Sequence, residues 1–255
     1  MSSSPAAVVI EGLTKQFGDK VAVDAISMIF PQGAFVGVVG RNGAGKTTTM
    51  KMCTALLPPS AGTVSVMGVD VWREPVAAKK KFGALPETMA LFDRLTGAEL
   101  LLYNGLIRGM DRTLVVDRSR ELTRVLGLDD AVDRLVVDYS HGMTKKIALA
   151  AALLHGPSVL FLDEPFEAID PVSTRAIEQV LNRHVTDGGT IVFSSHVLDV
   201  VERLCDHVVV IERGQIKQAG AIDDVRRGGR LEDAFLALIG QEAADTKGLT
   251  WLGSS

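Results

Sequence analysis

The stretch Gly40-Arg41-Asn42-Gly43-Ala44-Gly45-Lys46-Thr47-Thr48 restricts what this chain can become more than any other. It follows an apolar run, Ala34 to Val39, and opens a segment with helical character. A strand that ends in glycines lets successive backbone N–H groups converge on one point. The helix behind it adds the positive end of its dipole, about half an elementary charge, so the turn is built to hold an anion. The spacing is the full G-x-x-x-x-G-K-[ST]. It places Lys46 to reach the β and γ phosphates of a nucleotide and the Thr47 hydroxyl to ligate Mg²⁺. Gly40, Asn42, Gly43, Ala44, Gly45 and Thr48 complete the phosphate cradle.

A chain of 255 residues with 47% apolar content can bury a large core, as one domain or a domain with a subdomain. The net charge of −4 provides no general attraction to nucleic acid. The densest basic cluster, Lys79-Lys80-Lys81, reads as a solvated helix face. Cys53 and Cys205 lie in apolar contexts without ligand spacing, which predicts buried free thiols in a reducing compartment. The helical apolar run Ile147 to Leu154 is far below the roughly 20 residues that span a bilayer. The start Met1-Ser2-Ser3-Ser4-Pro5 lacks the pattern of a signal peptide, so the expected location is cytoplasmic.

Around the cradle, short β-rich stretches between Val8 and Phe30 predict an antiparallel β element. A helix is expected from about Thr47 to Leu57, stopped by Pro58-Pro59, with a strand over Thr63 to Met67 and another near Gly83 to Pro86. From Thr96 the pattern turns helical: Thr96-Gly97-Ala98-Glu99 fits a capping box, and a later helix starts just after Ser140. Val159 to Asp163 and Thr190 to Ser194 are continuous apolar runs expected of strands buried on both faces. Asp170-Pro171 marks a helix start, a hairpin follows around Gly214, and one helix is expected at Leu231 to Ile239. Strands alternating with helices predict an α/β fold with a mostly parallel, doubly wound sheet.

Asp163 and Glu164 close one of those buried strands, so two adjacent carboxylates stand at the edge of the sheet where a doubly wound fold holds its ligand. Asp163 is suited to hold Mg²⁺, and Glu164 to act as general base on a water.

Tyr139-Ser140-His141-Gly142-Met143, standing before Asp163-Glu164-Pro165, resembles the signature of ABC-type ATPases, and the order of motifs fits that family to about Gly220. The resemblance implies a P-loop NTPase with a RecA-like core at 1–87 and 156–220, a helical subdomain at 88–155, and a C-terminal extension at 221–255. It implies ATP and Mg²⁺ as ligands. It also implies a head-to-tail pair of ATPase subunits around the nucleotide, homodimer or related chain, in which Ser140 and Gly142 close on the γ-phosphate held by the other subunit's cradle. Taken alone, Ser140 is a helix N-cap. By resemblance, Phe17 stacks on adenine, where tyrosine is commoner, and the alternative is a core phenylalanine. Glu87 occupies the position of a glutamine that senses Mg²⁺, Asp170 matches a loop touching the partner subunit, and His196 matches a histidine near the γ-phosphate. His141, Met143 and Glu87 depart from the usual pattern in ways that resemble exporter-like systems. The function implied is that of the ATPase subunit of an ABC transporter, driving a separate transmembrane permease from the inner face of the membrane. The alternatives are a soluble ABC-type ATPase acting on ribosomes or nucleic acid, and a nucleotide-binding module without turnover.

Overall fold

The apolar runs flanking the cradle become strands of one sheet, packed on both faces. In the computed structural model, which describes residues 5–88, 90–167 and 169–240, the chain begins with β1 (Ala6–Phe17), β2 (Lys20–Pro31) and β3 (Phe35–Val39), followed by α1 (Lys46–Cys53). Next come β4 (Ala61–Val66), β5 (Val69–Asp70), α2 (Pro75–Lys79) and β6 (Phe82–Leu85). Three helices follow, α3 (Gly97–Ile107), α4 (Arg112–Val125) and α5 (His141–Leu153). The chain continues through β7 (Val159–Asp163), α6 (Pro171–Thr186), β8 (Thr190–Ser195), α7 (Leu198–Leu204), β9 (His207–Glu212) and β10 (Gln215–Ala221), then α8 (Ile222–Arg226) and α9 (Leu231–Leu238).

The larger sheet has the order β10-β9-β3-β8-β7-β6, parallel throughout except for the β9–β10 hairpin. The smaller is the expected antiparallel element, in the order β2-β1-β4-β5. Alternate residues of the central strands point to opposite faces, and both faces are covered. Phe35, Val39, Leu160, Leu162 and Phe193 join one core with the helices, whereas Val36, Val38, Val159, Phe161 and Val192 join a second core with the antiparallel sheet. This is why those strands read as unbroken apolar runs.

Local chemistry starts the helices where the sequence placed them. The Thr96 hydroxyl accepts from the Glu99 amide at 3.2 Å and the Glu99 carboxylate accepts from the Thr96 amide at 2.8 Å, a complete capping box. Tyr139, just before α5, donates through its hydroxyl to the Ala131 carbonyl at 2.7 Å and fastens the loop leading to Ser140.

Two expectations need correcting. The helix after the cradle ends at Cys53, not Leu57, because Ala55 adopts a left-handed conformation (φ +56°) that breaks the helix before the prolines are reached. Residues 221–240 carry two helices, not one: α8 has only five residues, too few to show periodicity, and is held by burial of Ile222 and Val225. The sequence after residue 240 lies outside the described residues. Among the described residues no helix is long and apolar enough to cross a membrane, and Cys53 and Cys205 are free and buried.

Candidate nucleotide site

The cradle connects β3 to α1, and its shape depends on glycine at two points. A side chain at Gly40 would place its Cβ 2.3 Å from the Ile211 carbonyl oxygen, closer than any Cβ tolerates. Gly45 caps α1 at φ +113°, and a Cβ there would also meet the Ala22 carbonyl at 2.8 Å. No side chain caps α1, so its first N–H groups remain available to an anion. Lys46 is buried and folds back along the loop, its Nζ donating to the Gly40 carbonyl at 2.8 Å and the Arg41 carbonyl at 3.4 Å.

The register of the parallel sheet brings the remaining polar groups to this loop. Asp163 at the end of β7 pairs with Ser194 of β8, and Leu162 pairs with Leu85 of β6, so Glu87 comes level with the carboxylate pair. The Thr47 hydroxyl lies 3.3 Å from both Glu87 Oε2 and Asp163 Oδ1. The Ser194 hydroxyl donates to Asp163 Oδ1 and accepts from the Glu164 amide at 3.1 Å. Burial pushes the Asp163 carboxyl above the usual carboxylate range, with the Ser194 and Thr47 hydroxyls and Lys46 pulling it back. Glu164 stands at φ +49°, left-handed and non-glycine, and its Oε1 lies 4.0 Å from Lys46 Nζ. Its Oε2 meets His196 Nδ1 at 3.0 Å.

The donor set suits Mg²⁺. Asp163 Oδ2 is buried without a partner, and it stands with Thr47 Oγ1 and Glu87 in an all-oxygen group. No cluster of three or more His, Cys, Asp or Glu among the described residues could hold a metal unaided. Two carboxylates and a hydroxyl match an ion bound through one or two carboxylates plus substrate phosphates. Asn42, Gly43, Gly45, Lys46, Thr47 and Thr48 of the cradle line a single cavity of about 510 Å³ together with Glu87, Glu164, His196 and Phe17. Phe17 is half exposed at its rim, with Lys15 Nζ 5.2 Å from the ring centre.

A family model described as ABC transporter matches residues 23–167, more than half of the chain. The chain is 35% identical over 232 residues to the ABC transporter ATP-binding protein NatA of Bacillus subtilis, covering 89% of this chain and 94% of NatA. The chain belongs to the ABC transporter family, among its ATP-binding proteins. It is also 34% identical to the daunorubicin/doxorubicin resistance ATP-binding protein DrrA of Streptomyces peucetius, over 89% of this chain and 69% of DrrA. A solved structure of the ATP-binding subunit of an ABC transporter superposes with a TM-score of 0.86 at 28% identity, covering 91% of this chain and 99% of that one. This ABC protein is therefore an ATP-binding ATPase, and the comparisons give no support to the ribosome or nucleic-acid reading.

Ser140, Gly142 and Asp170, expected to serve a second subunit, do not line the cavity of this ABC protein; nor do Gly40, Ala44 and the buried Asp163, which stands beside it against the Thr47 hydroxyl. Ser140 is exposed and caps α5, accepting from the Met143 amide at 3.3 Å. Asp170 caps α6, accepting from the Val172 and Ser173 amides at 3.0 and 2.9 Å. The Ser173 hydroxyl and amide hold its carboxyl below the usual range. Two residues near the site escaped sequence reasoning. Ser194 bridges the carboxylate pair, and Lys145 reaches the Glu164 and Glu167 carbonyls from α5. Lys145 had a signal: four and seven residues before Leu149 and Ala152, it shares their buried face.

Proposed function

We propose that this ABC protein binds Mg·ATP in the cradle, closes head to tail on a second ABC ATP-binding subunit, and hydrolyses ATP to drive a separate transmembrane permease in export. In this reading Phe17 stacks on adenine, and Lys46 and the first amides of α1 hold the β and γ phosphates. Thr47, Asp163 and Glu87 hold the ion, which when bound supplies neutralisation of the phosphate oxygens. Glu164 takes a proton from the attacking water as its oxygen bonds to the γ-phosphorus and the bond to the β–γ bridging oxygen breaks. His196 orients Glu164 through the 3.0 Å contact. Charge moving onto the γ-phosphate is stabilised by donors aimed at it, and a helix start such as that at Ser140 and Gly142 of a second copy suits that role.

The observation that carries the proposal is this division: cradle residues, Glu87, Glu164 and His196 line one cavity, with Asp163 beside it against Thr47, while the signature segment opens elsewhere. Residues 1–220 form the cassette, with 88–155 as the helical subdomain and 221–255 as an extension. The exposed apolar side chains of Phe92, Tyr103, Leu106 and Ile107, with Phe92 edge-on to Tyr103 at 5.0 Å, suit contact with the permease at the inner face of the membrane. Export draws support from the similarity to DrrA, a drug-resistance protein, and from the residues at 87, 141 and 143.

Glu164→Gln tests the proposal. It is expected to retain ATP, slow phosphate release by about 10²–10⁴-fold, and elute as a dimer in ATP on light-scattering chromatography. Full turnover by a strictly monomeric native protein would overturn the proposal.

A further inference from the structure

Lys145 is only 3% exposed and does not line the nucleotide cavity. It donates instead to two main-chain carbonyls of one turn, that of Glu164 at 2.8 Å and that of Glu167 at 2.7 Å. Burial lowers its pKa, with Glu167, Glu164, Glu87 and Asp163 pulling it back up.

The turn it holds is an unusual one. Glu164 is left-handed at φ +49°, a conformation that non-glycine residues keep only when neighbours over-determine it. Its amide is fixed by the Ser194 hydroxyl on β8, and its carbonyl by Lys145 on α5, with the Glu167 amide a weaker partner at 3.3 Å. The carboxylate leaves this clamped backbone toward His196 and Lys46. Lys145 lies five residues beyond Ser140, the N-cap of the same helix, about 7.5 Å along its axis.

We infer that Lys145 is a positioning residue, which holds the Glu164 main chain in the conformation that aims its carboxylate at the cavity and so ties turnover at this cradle to the placement of α5. The helix whose start would serve a second subunit's nucleotide therefore also sets the base of its own subunit. A displacement of α5 on dimer closure would reach the Glu164 turn through the two hydrogen bonds of Lys145, one to the Glu164 carbonyl and one to that of Glu167. The inference rests on the reading of Glu164 as general base.

The test compares Lys145→Met, Lys145→Gln and Lys145→Arg with the native full-length chain. The readouts are kcat and KM for phosphate release, affinity for a fluorescent ATP analogue with Mg²⁺, and thermal unfolding. Lys145→Met is expected to lower kcat by about 10–100-fold, the scale of a small misplacement of a reacting group, with KM and nucleotide affinity within about twofold. Lys145→Arg, which keeps the charge and donors, is expected to recover most of the loss, and Lys145→Gln to fall between. In a Glu164→Gln background, Lys145→Met should add less than about a twofold further loss, as expected of residues acting as one unit. A Lys145→Met kcat within twofold of native overturns the inference. So does a loss that tracks nucleotide affinity, or one that Lys145→Arg fails to recover. If Lys145→Met does not fold, the same split is read from Lys145→Gln. Full turnover by Glu164→Gln alone removes the general-base reading and this inference with it, whereas inactive Glu164→Gln beside normal Lys145→Met removes this inference only.

Discussion

Removing the Ser194 hydroxyl isolates the energetic link between the two carboxylates. Ser194 is fully buried, and its oxygen has two roles at once, donating to Asp163 Oδ1 and accepting from the Glu164 amide. In Ser194→Ala the Glu164 N–H, on a residue 8% exposed, has no acceptor, a loss of about 1–3 kcal/mol. Asp163 loses a hydrogen bond to a charged group, about 1.5–3 kcal/mol, but keeps Thr47 Oγ1 at 3.3 Å. The two ranges add to about 2.5–6 kcal/mol, and because Asp163 keeps the Thr47 contact the expected loss lies near the lower end, about 3 kcal/mol. At about 2–4 °C per kcal/mol for a chain of this size, the midpoint of thermal unfolding should fall by roughly 6–12 °C at pH 7 without nucleotide. Ser195→Ala is the internal control. Its hydroxyl accepts only from the Val197 amide at 3.0 Å, and Val197 is 44% exposed, so water can replace the bond and the loss should stay below about 1 kcal/mol. Circular dichroism melts of the three proteins decide the matter. A drop in Ser194→Ala no larger than in Ser195→Ala would refute the bridging role.

Three other outcomes are expected. Lys46→Ala should weaken Mg·ATP binding by at least about tenfold in equilibrium titration, since Nζ is the one buried cation of the cradle loop; unchanged affinity would contradict its phosphate role. Phe17→Ala should raise KM for ATP by roughly fivefold or more with kcat little changed, the worth of about 1 kcal/mol of base stacking, and an unaltered KM would assign the ring to packing. His155 hydrogen-bonds at the Phe82 carbonyl and beside Arg108, and burial, then Arg108, bring its pKa from 6.5 down to about 4. The unfolded chain therefore binds more protons than the folded one between about pH 6.5 and 4. Stability from this group is present above the unfolded value and is lost as pH falls through that window. Urea melts at pH 7 and pH 5 should show a smaller acid loss in His155→Gln than in the native chain, and equal losses would contradict the assignment.

The elements that sequence reasoning placed well are those written in neighbouring residues. The cradle needs only glycines, a lysine and a threonine at fixed short spacing between an apolar run and a helix, and all of these lie within nine residues. The capping box at Thr96 and the caps at Asp170 and Ser140 are equally local, each a side-chain oxygen accepting from an amide two or three residues on. The helix end after the cradle is not legible in the sequence because the left-handed turn at Ala55 has no glycine or proline to announce it.

Bringing Thr47, Glu87, Asp163, Ser194 and His196 to one place required the parallel sheet. They follow or end four separate strands, and only the register of β6, β7, β8 and β3 sets their heights against one another. The left-handed turn at Glu164, the Ser194 bridge and the Lys145 clamp depend on contacts 19 to 31 residues apart in the chain. Spacing rules describe periods of a few residues, so they recover a phosphate loop whole. The alignment of a general base depends on which distant hydroxyl and which buried ammonium the packed core delivers to its backbone, and that is set when strands and helices come together.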